Sequence, residues 1–250
     1  MIWGSFGVVH FATLAIAAAL IVGVYYLLKY LPQKARTVVL FCLSLMGIAA
    51  VIFNLLEWGT PLEYLPLHMC SISAILLPIV VLTRNRTIGN LLLVWCLGSL
   101  LAVIFNSEAA NFVIPSSTFF FFYVPHVFEF GVMIYLFKLG YVKPDYRCIP
   151  STIGLTMGIY TLIHLANLLI NHLCLTHNIT NPSGNLVQVN YMFSLDHCGN
   201  PVFALFYKLI PYDYWYMYGA VIILLIYLPL VYLPQIVRDV KAYRARKAGN

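Results

Sequence analysis

The chain has 250 residues, 62% of them hydrophobic and 9% charged, with a net charge of +6 and a mean hydropathy of +0.89. Soluble domains carry about 25% charged residues, so this composition excludes an ordinary soluble fold. The positive charge does not point to nucleic acid either, because the basic residues sit at the ends of apolar stretches and in one tail.

A helix that crosses a bilayer needs roughly 20 mainly apolar residues. Seven such stretches are predicted in chain order, at about 6–28, 37–56, 64–83, 87–106, 116–137, 149–172 and 214–235. The expected architecture is an all-α integral membrane protein, one polytopic domain over 1–250 with seven transmembrane helices. The first stretch lacks a basic leader and a small-residue cleavage site, so it reads as a retained helix and not a signal peptide. Lys29, Lys34 and Arg36 follow span 1, Arg84 and Arg86 follow span 3, and Lys138, Lys143 and Arg147 follow span 5. Arg238, Lys241, Arg244, Arg246 and Lys247 follow span 7. The remaining loops hold Glu57, Glu63, Glu108, Asp196 and Asp213 and one base, Lys208. Positively charged loops stay in the cytoplasm, which places the N-terminus outside, the C-terminus inside, and the chain in the cell membrane as a multi-pass protein. Residues 173–213 form the one long outer loop, followed by an aromatic belt from Tyr207 to Tyr218. The basic tail 236–250 is expected to lie on anionic lipid of the inner leaflet.

Ionisable residues inside spans are expensive and point to function. Cys70 lies fourteen residues before Arg84, which puts it roughly 21 Å above the cytoplasmic end of span 3. His126 lies twelve residues before Lys138 on span 5, roughly 18 Å up. A thiol beside a base is the arrangement of a nucleophile. Glu129 follows His126 by three residues and is expected to orient it or to hold the imidazolium. Ser73 follows Cys70 by three and is expected to donate a hydrogen bond to it. His68, two residues from Cys70, points to another face of a regular helix; it binds a headgroup, or serves as the base if span 3 is irregular after Pro66. The competing reading makes Cys70 a small packing residue and His126 and Glu129 an interhelical pair.

His164, Asn167 and Asn171 form a polar stripe on span 6, either lining a substrate cavity or bonding between helices. Asn54, Glu57 and Asn106 sit at outer helix ends and read as interfacial. Outside, Cys174 and Cys198 are expected to form a disulfide in an oxidising compartment. Together with His172, His177 and His197 they are also zinc-ligand types, but their spacing fits no zinc motif, and no metal is expected. Cys42, Cys96 and Cys148 show no pairing logic. Asn178-Ile179-Thr180 is a glycosylation acceptor in a eukaryotic host.

Leu65-Pro66-Leu67-His68-Met69-Cys70 resembles the L-P-L-H-x-C signature of the bacterial YwaF-like integral membrane proteins, and Asn190-Tyr191-Met192-Phe193 resembles their N-Y-M-F stretch. The pattern is also similar to the transmembrane protein 164 family of animals, cysteine-dependent acyltransferases that make polyunsaturated ether phospholipids from a donor phospholipid. Asp196-His197-Cys198-Gly199 lies outside that pattern. The resemblance implies that Cys70 is the nucleophile and His126 its partner. It implies a phospholipid or lysophospholipid substrate in contact with membrane lipid, and no cofactor. The resulting expectation is a membrane acyltransferase or transacylase that moves an acyl chain through a Cys70 thioester to a hydroxyl acceptor at the outer leaflet, with His164 and Asn167 near the headgroup or oxyanion. The alternative is a transporter or lipid-binding protein with a polar intramembrane cavity.

Overall fold

Residues 1–106 and 109–248 are described by a computed structural model; Glu108, expected on the outer side, lies outside the described residues. The structure is all-helical, with no β-strand among the described residues beyond two isolated bridges, Ile2 with Val113 and Thr180 with Leu186. Helices α1 (Val8–Tyr30), α2 (Gln33–Glu57), α4 (Arg86–Phe105), α5 (Ser117–Lys138), α6 (Ile149–Thr176) and α8 (Ala220–Ala248) are long and apolar enough to cross a membrane. The chain is thus a multi-pass membrane protein. The short α7 (Pro201–Leu209) lies within the long connection between α6 and α8. The basic tail is not a separate element, because α8 runs without a break from the apolar stretch into it.

The third stretch departs from expectation. Helix α3 covers only Met69–Thr83, 15 residues, or roughly 22 Å against the ~30 Å of a hydrocarbon core. The cause is Pro66, which drives Leu65 away from helical geometry. A 3-10 turn at Pro61–Glu63, a tight turn in which the Leu67 amide donates to the Leu65 carbonyl at 2.7 Å, and an extended His68 take the place of the first helical turns.

Local chemistry sets the other boundaries. Pro32 separates α1 from α2, Asn85 caps α4 by accepting from the Ile88 amide at 3.0 Å, and Ser116 caps α5 by accepting from the Phe119 amide at 3.1 Å. Helices α2, α3, α4 and α5 pack closely on one another, while α1, α6 and α8 flank them and present their apolar faces outward. The α2–α3 contact depends on Gly47, where a Cβ would stand 2.5 Å from that of Ala74. The core of this four-helix group holds Leu77, Val80, Val81, Leu92, Trp95 and Leu136, all essentially inaccessible.

The basic end of the bundle is latched by a network that the sequence reading missed. Asp145, buried between α5 and α6, pairs with Arg86 and accepts from the Arg147 amide at 3.1 Å and from Gln235 Nε2 of α8 at 3.1 Å. The fully buried Asn90 of α4 donates to the Lys143 carbonyl at 3.2 Å and accepts from Tyr232 of α8 at 3.0 Å and from the Asp145 amide at 2.9 Å. A lone Asn immediately before the apolar run Leu91–Trp95 was the available signal, since a buried amide must find partners.

Candidate functional site

The opposite end of the bundle gathers the residues singled out in the sequence. Because α3 begins at Met69, His68 becomes its N-cap residue and Cys70 its second helical residue. Cys70 therefore sits in the first turn, at the positive end of the helix dipole. The His68 side chain accepts no capping bond from the first-turn amides.

His126 lies on α5 immediately after Pro125. Its Nδ1 is 2.6 Å from the carbonyl oxygen of Phe122. A carbonyl only accepts, so Nδ1 carries the proton and Nε2 of the neutral ring is left with its lone pair. Stacking against the Phe122 ring, with centroids 4.5 Å apart, fixes the imidazole plane. His126 is thus held as the tautomer that a general base requires.

Glu129 does not play the expected part. Its carboxylate, 4% exposed, accepts from the Ser99 hydroxyl of α4 through Oε2, and its Oε1 has no hydrogen-bond partner. The Phe122 carbonyl, and not Glu129, orients His126. The carboxylate does lie within electrostatic reach of both Cys70 and His126, and His126 within that of His68. The four residues therefore share one locality. Ser73 is fully buried, but its hydroxyl makes no hydrogen bond, so the expected bond to Cys70 is not formed. Ser99 was missed because serine in an apolar helix reads as packing.

The polar stripe of α6 forms hydrogen bonds, and Asn171 also lines a cavity with Leu186 and Gln188. The bonds clamp the returning segment 189–194 over the bundle as a strap. Asn167 accepts from the Tyr191 amide at 3.0 Å and donates to the Tyr191 carbonyl and the Ser194 hydroxyl, both at 2.9 Å. Asn171 both donates to the Val189 carbonyl, at 2.9 Å, and accepts from its amide, at 2.7 Å. His164 Nδ1 is 3.0 Å from the Ser194 hydroxyl. The strap in turn reaches the approach to α3. The Tyr191 hydroxyl donates to the Leu62 carbonyl, and the Met192 amide donates to His68 Nδ1 at 3.3 Å. Burial pushes the Tyr191 phenol up to about 12, which keeps it a donor at any physiological pH.

Cys174 and Cys198 are not joined, which corrects the expected disulfide. Cys174 faces inward from α6 and packs with Val187, Val189 and Tyr191 beneath the strap. Cys198 lies on the exposed side, where its sulfur accepts from Asn190 Nδ2 at 3.2 Å. Among the described residues no three His, Cys, Asp or Glu side chains converge as metal ligands would.

One family model matches the chain. The model named TMEM164 family matches residues 5–232, nearly the whole chain. The chain belongs to the TMEM164 family. The match runs from Ser5, ahead of α1, to Tyr232 within α8, so it spans Cys70, His126, the strap and the α6 stripe alike. No curated protein and no solved structure matches the chain. TMEM164 membership accords with the multi-pass helical architecture and with the resemblance carried by the residues around Cys70.

Proposed function

We propose that the chain is a cysteine-dependent membrane acyltransferase, with Cys70 as nucleophile and His126 as base. The observation that carries this reading is the tautomer of His126, fixed by the Phe122 carbonyl at 2.6 Å in a family match that spans the site. Cys70 gives its thiol proton to His126 Nε2, and the thiolate attacks the ester carbonyl carbon of a phospholipid. The carbon–oxygen bond breaks, and the departing lysophospholipid oxygen takes the proton from His126. The thioester is then attacked by the hydroxyl of an acceptor lipid. That hydroxyl loses its proton to His126, and the Cys70 sulfur leaves and recovers it. No cofactor enters this cycle. The strap and the surrounding aromatic rings restrict water, which protects a thioester from hydrolysis.

Lipid approach from the side suits the surface. A cavity of about 240 Å³ lies between α2 and α5, lined by Cys42, Met46, Ala49, Phe121 and Pro125. The lining is mostly apolar, as an acyl chain requires, and one of its walls is the helix that carries His126. The transporter alternative finds less support, since the dry core around Leu77, Leu92 and Leu136 stands between the site and the basic end of the bundle.

In this reading α3 and the preceding residues 61–68 together complete a seventh crossing. The basic end faces the cytoplasm, and the site faces the outer leaflet of the cell membrane. The segments bearing Arg36, Arg84 and Arg86 and the 141–147 turn meet at one end, as Thr37 with Tyr141, Arg84 with the Tyr141 ring, and Arg86 with Asp145. Cysteine labelling of intact cells is expected to mark a thiol introduced at Asn185 and to spare one introduced at Arg86. The reverse pattern would place the site in the inner leaflet.

The mechanism itself is tested by incubating the purified protein with phosphatidylcholine. A hydroxylamine-sensitive acyl mass is expected on the peptide containing Cys70, absent in Cys70→Ala. Acyl transfer that persists in Cys70→Ala removes the covalent route. Lipid binding without any adduct returns the lipid-binding reading.

A further inference from the structure

The two histidines beside Cys70 are held in opposite tautomers. His126 donates from Nδ1 to a carbonyl, which frees Nε2 to accept a proton. His68 receives at Nδ1 the amide hydrogen of Met192, at 3.3 Å. An amide only donates, so Nδ1 of His68 bears the lone pair and the neutral ring carries its hydrogen on Nε2. Two strap rings pack on this imidazole, Tyr191 edge-on with centroids 5.3 Å apart and Phe193 tilted at 5.7 Å. The Nε2–H of the same ring diverges from the Met192 amide, and His126 lies within electrostatic reach of the ring. His68 is the residue from which α3 starts, two before Cys70.

From this geometry we infer that His68 is the electrophilic group of the site, donating Nε2–H to the carbonyl oxygen of the lipid ester as negative charge builds on it. The inference rests on the acyltransferase reading and adds a division of labour. One neutral imidazole accepts the thiol proton; the other stabilises the oxyanion and transfers no proton. A fixed donor aimed at developing charge in a water-poor site acts mainly on the transition state. Fixing the donor falls to the strap: its Met192 amide selects the tautomer, and its two aromatic rings hold the plane. The N-Y-M-F stretch thus acquires a reason to accompany the L-P-L-H-x-C stretch, although more than a hundred residues separate them.

Two substitutions separate this role from a structural one. His68→Asn places an amide near the Nδ1 position, where it keeps an acceptor for Met192 and lacks the far donor. His68→Gln reaches the Nε2 position with an N–H. The full-length chain in nanodiscs is given phosphatidylcholine, and the acyl mass on the Cys70 peptide is followed with time. Alkylation of the same peptide by iodoacetamide, which needs the thiolate and involves no oxyanion, is followed in parallel. His68→Asn is expected to lower acylation about 10²–10³-fold, the cost of one oxyanion donor, with alkylation unchanged. His68→Gln is expected to restore most of the acylation. The assignment is overturned if alkylation falls in step with acylation, since His68 then acts on the thiol, or if His68→Gln is as slow as His68→Asn. Absence of any adduct on the unaltered chain overturns the acyltransferase reading, and this assignment with it. The contrast between variants tests His68 alone.

Discussion

Replacing His126 by alanine is expected to slow formation of the Cys70 acyl adduct by about 10²–10⁴-fold, the usual cost of losing a general base. The bundle should survive the change. The His126 ring is half-buried, its one described hydrogen bond returns to its own helix, and its ring neighbour Phe122 lies one turn away on that helix. No interhelical bond is lost, so thermal unfolding in detergent should barely move. Iodoacetamide alkylation of Cys70 should slow as well, because the base acts on the thiol. That behaviour distinguishes His126 from His68, whose loss should leave alkylation unchanged. Glu129→Gln makes an informative companion. The Ser99 hydroxyl can still donate to the amide oxygen, and Phe122 still holds His126, so a large loss in that variant would show that the carboxylate charge itself supports the imidazolium. If His126→Ala acylates at the unaltered rate, the thiol has another base and the assignment fails.

Much of this site was legible in the sequence, and the illegible parts have identifiable physical causes. Six spans follow from runs of apolar residues between Lys and Arg, and their helices end within a few residues of the expected positions, apart from α8, which continues through the basic tail. Cys70 and His126 were matched by depth because both are counted along helices from a basic end. Pro66 was noticed, but its full effect was not. It delays α3 until Met69 and turns His68 from a residue on another face into an N-cap. The partner of His126 was misassigned to Glu129 for a related reason. Spacing of i to i+3 states which side chains are near, while a backbone carbonyl is available at every turn and is invisible to pattern reading. The α6 stripe offered two readings, and hydrogen bonding prevailed, though to the outer strap and not to another helix. That strap is a long-range return of the chain, and no local signal ties Asn167 to Tyr191. The latch at Asp145 leaves no local signal, because a single acid among Lys138, Lys143 and Arg147 is the ordinary pattern of a solvated loop.

Replacing Asn167 by leucine is expected to release the strap and so to affect stability and activity together. Asn167 is fully buried and makes three hydrogen bonds, two to the backbone of Tyr191 and one to the Ser194 hydroxyl. Leucine satisfies none of them. Each buried group left without a partner costs about 1–3 kcal/mol, so the strap loses several kcal/mol at one position. The segment has little reserve against this. Met192 and Phe193 both sit in left-handed backbone geometry, at φ 53° and 54°, where each non-glycine residue costs of order 1–3 kcal/mol unless its surroundings enforce it. Other clamps remain, among them Asn171, His164 and Tyr216, whose hydroxyl donates to the Phe193 carbonyl. The helical bundle should therefore persist while the strap opens. Limited proteolysis should cut within 189–194 in the variant and spare the unaltered chain. Acylation of Cys70 should fall at least as far as in His68→Asn, since the Met192 amide that sets the His68 tautomer leaves with the strap. A variant that resists the protease and still acylates normally would show that the stripe on α6 is dispensable and that His68 does not depend on the strap for its orientation.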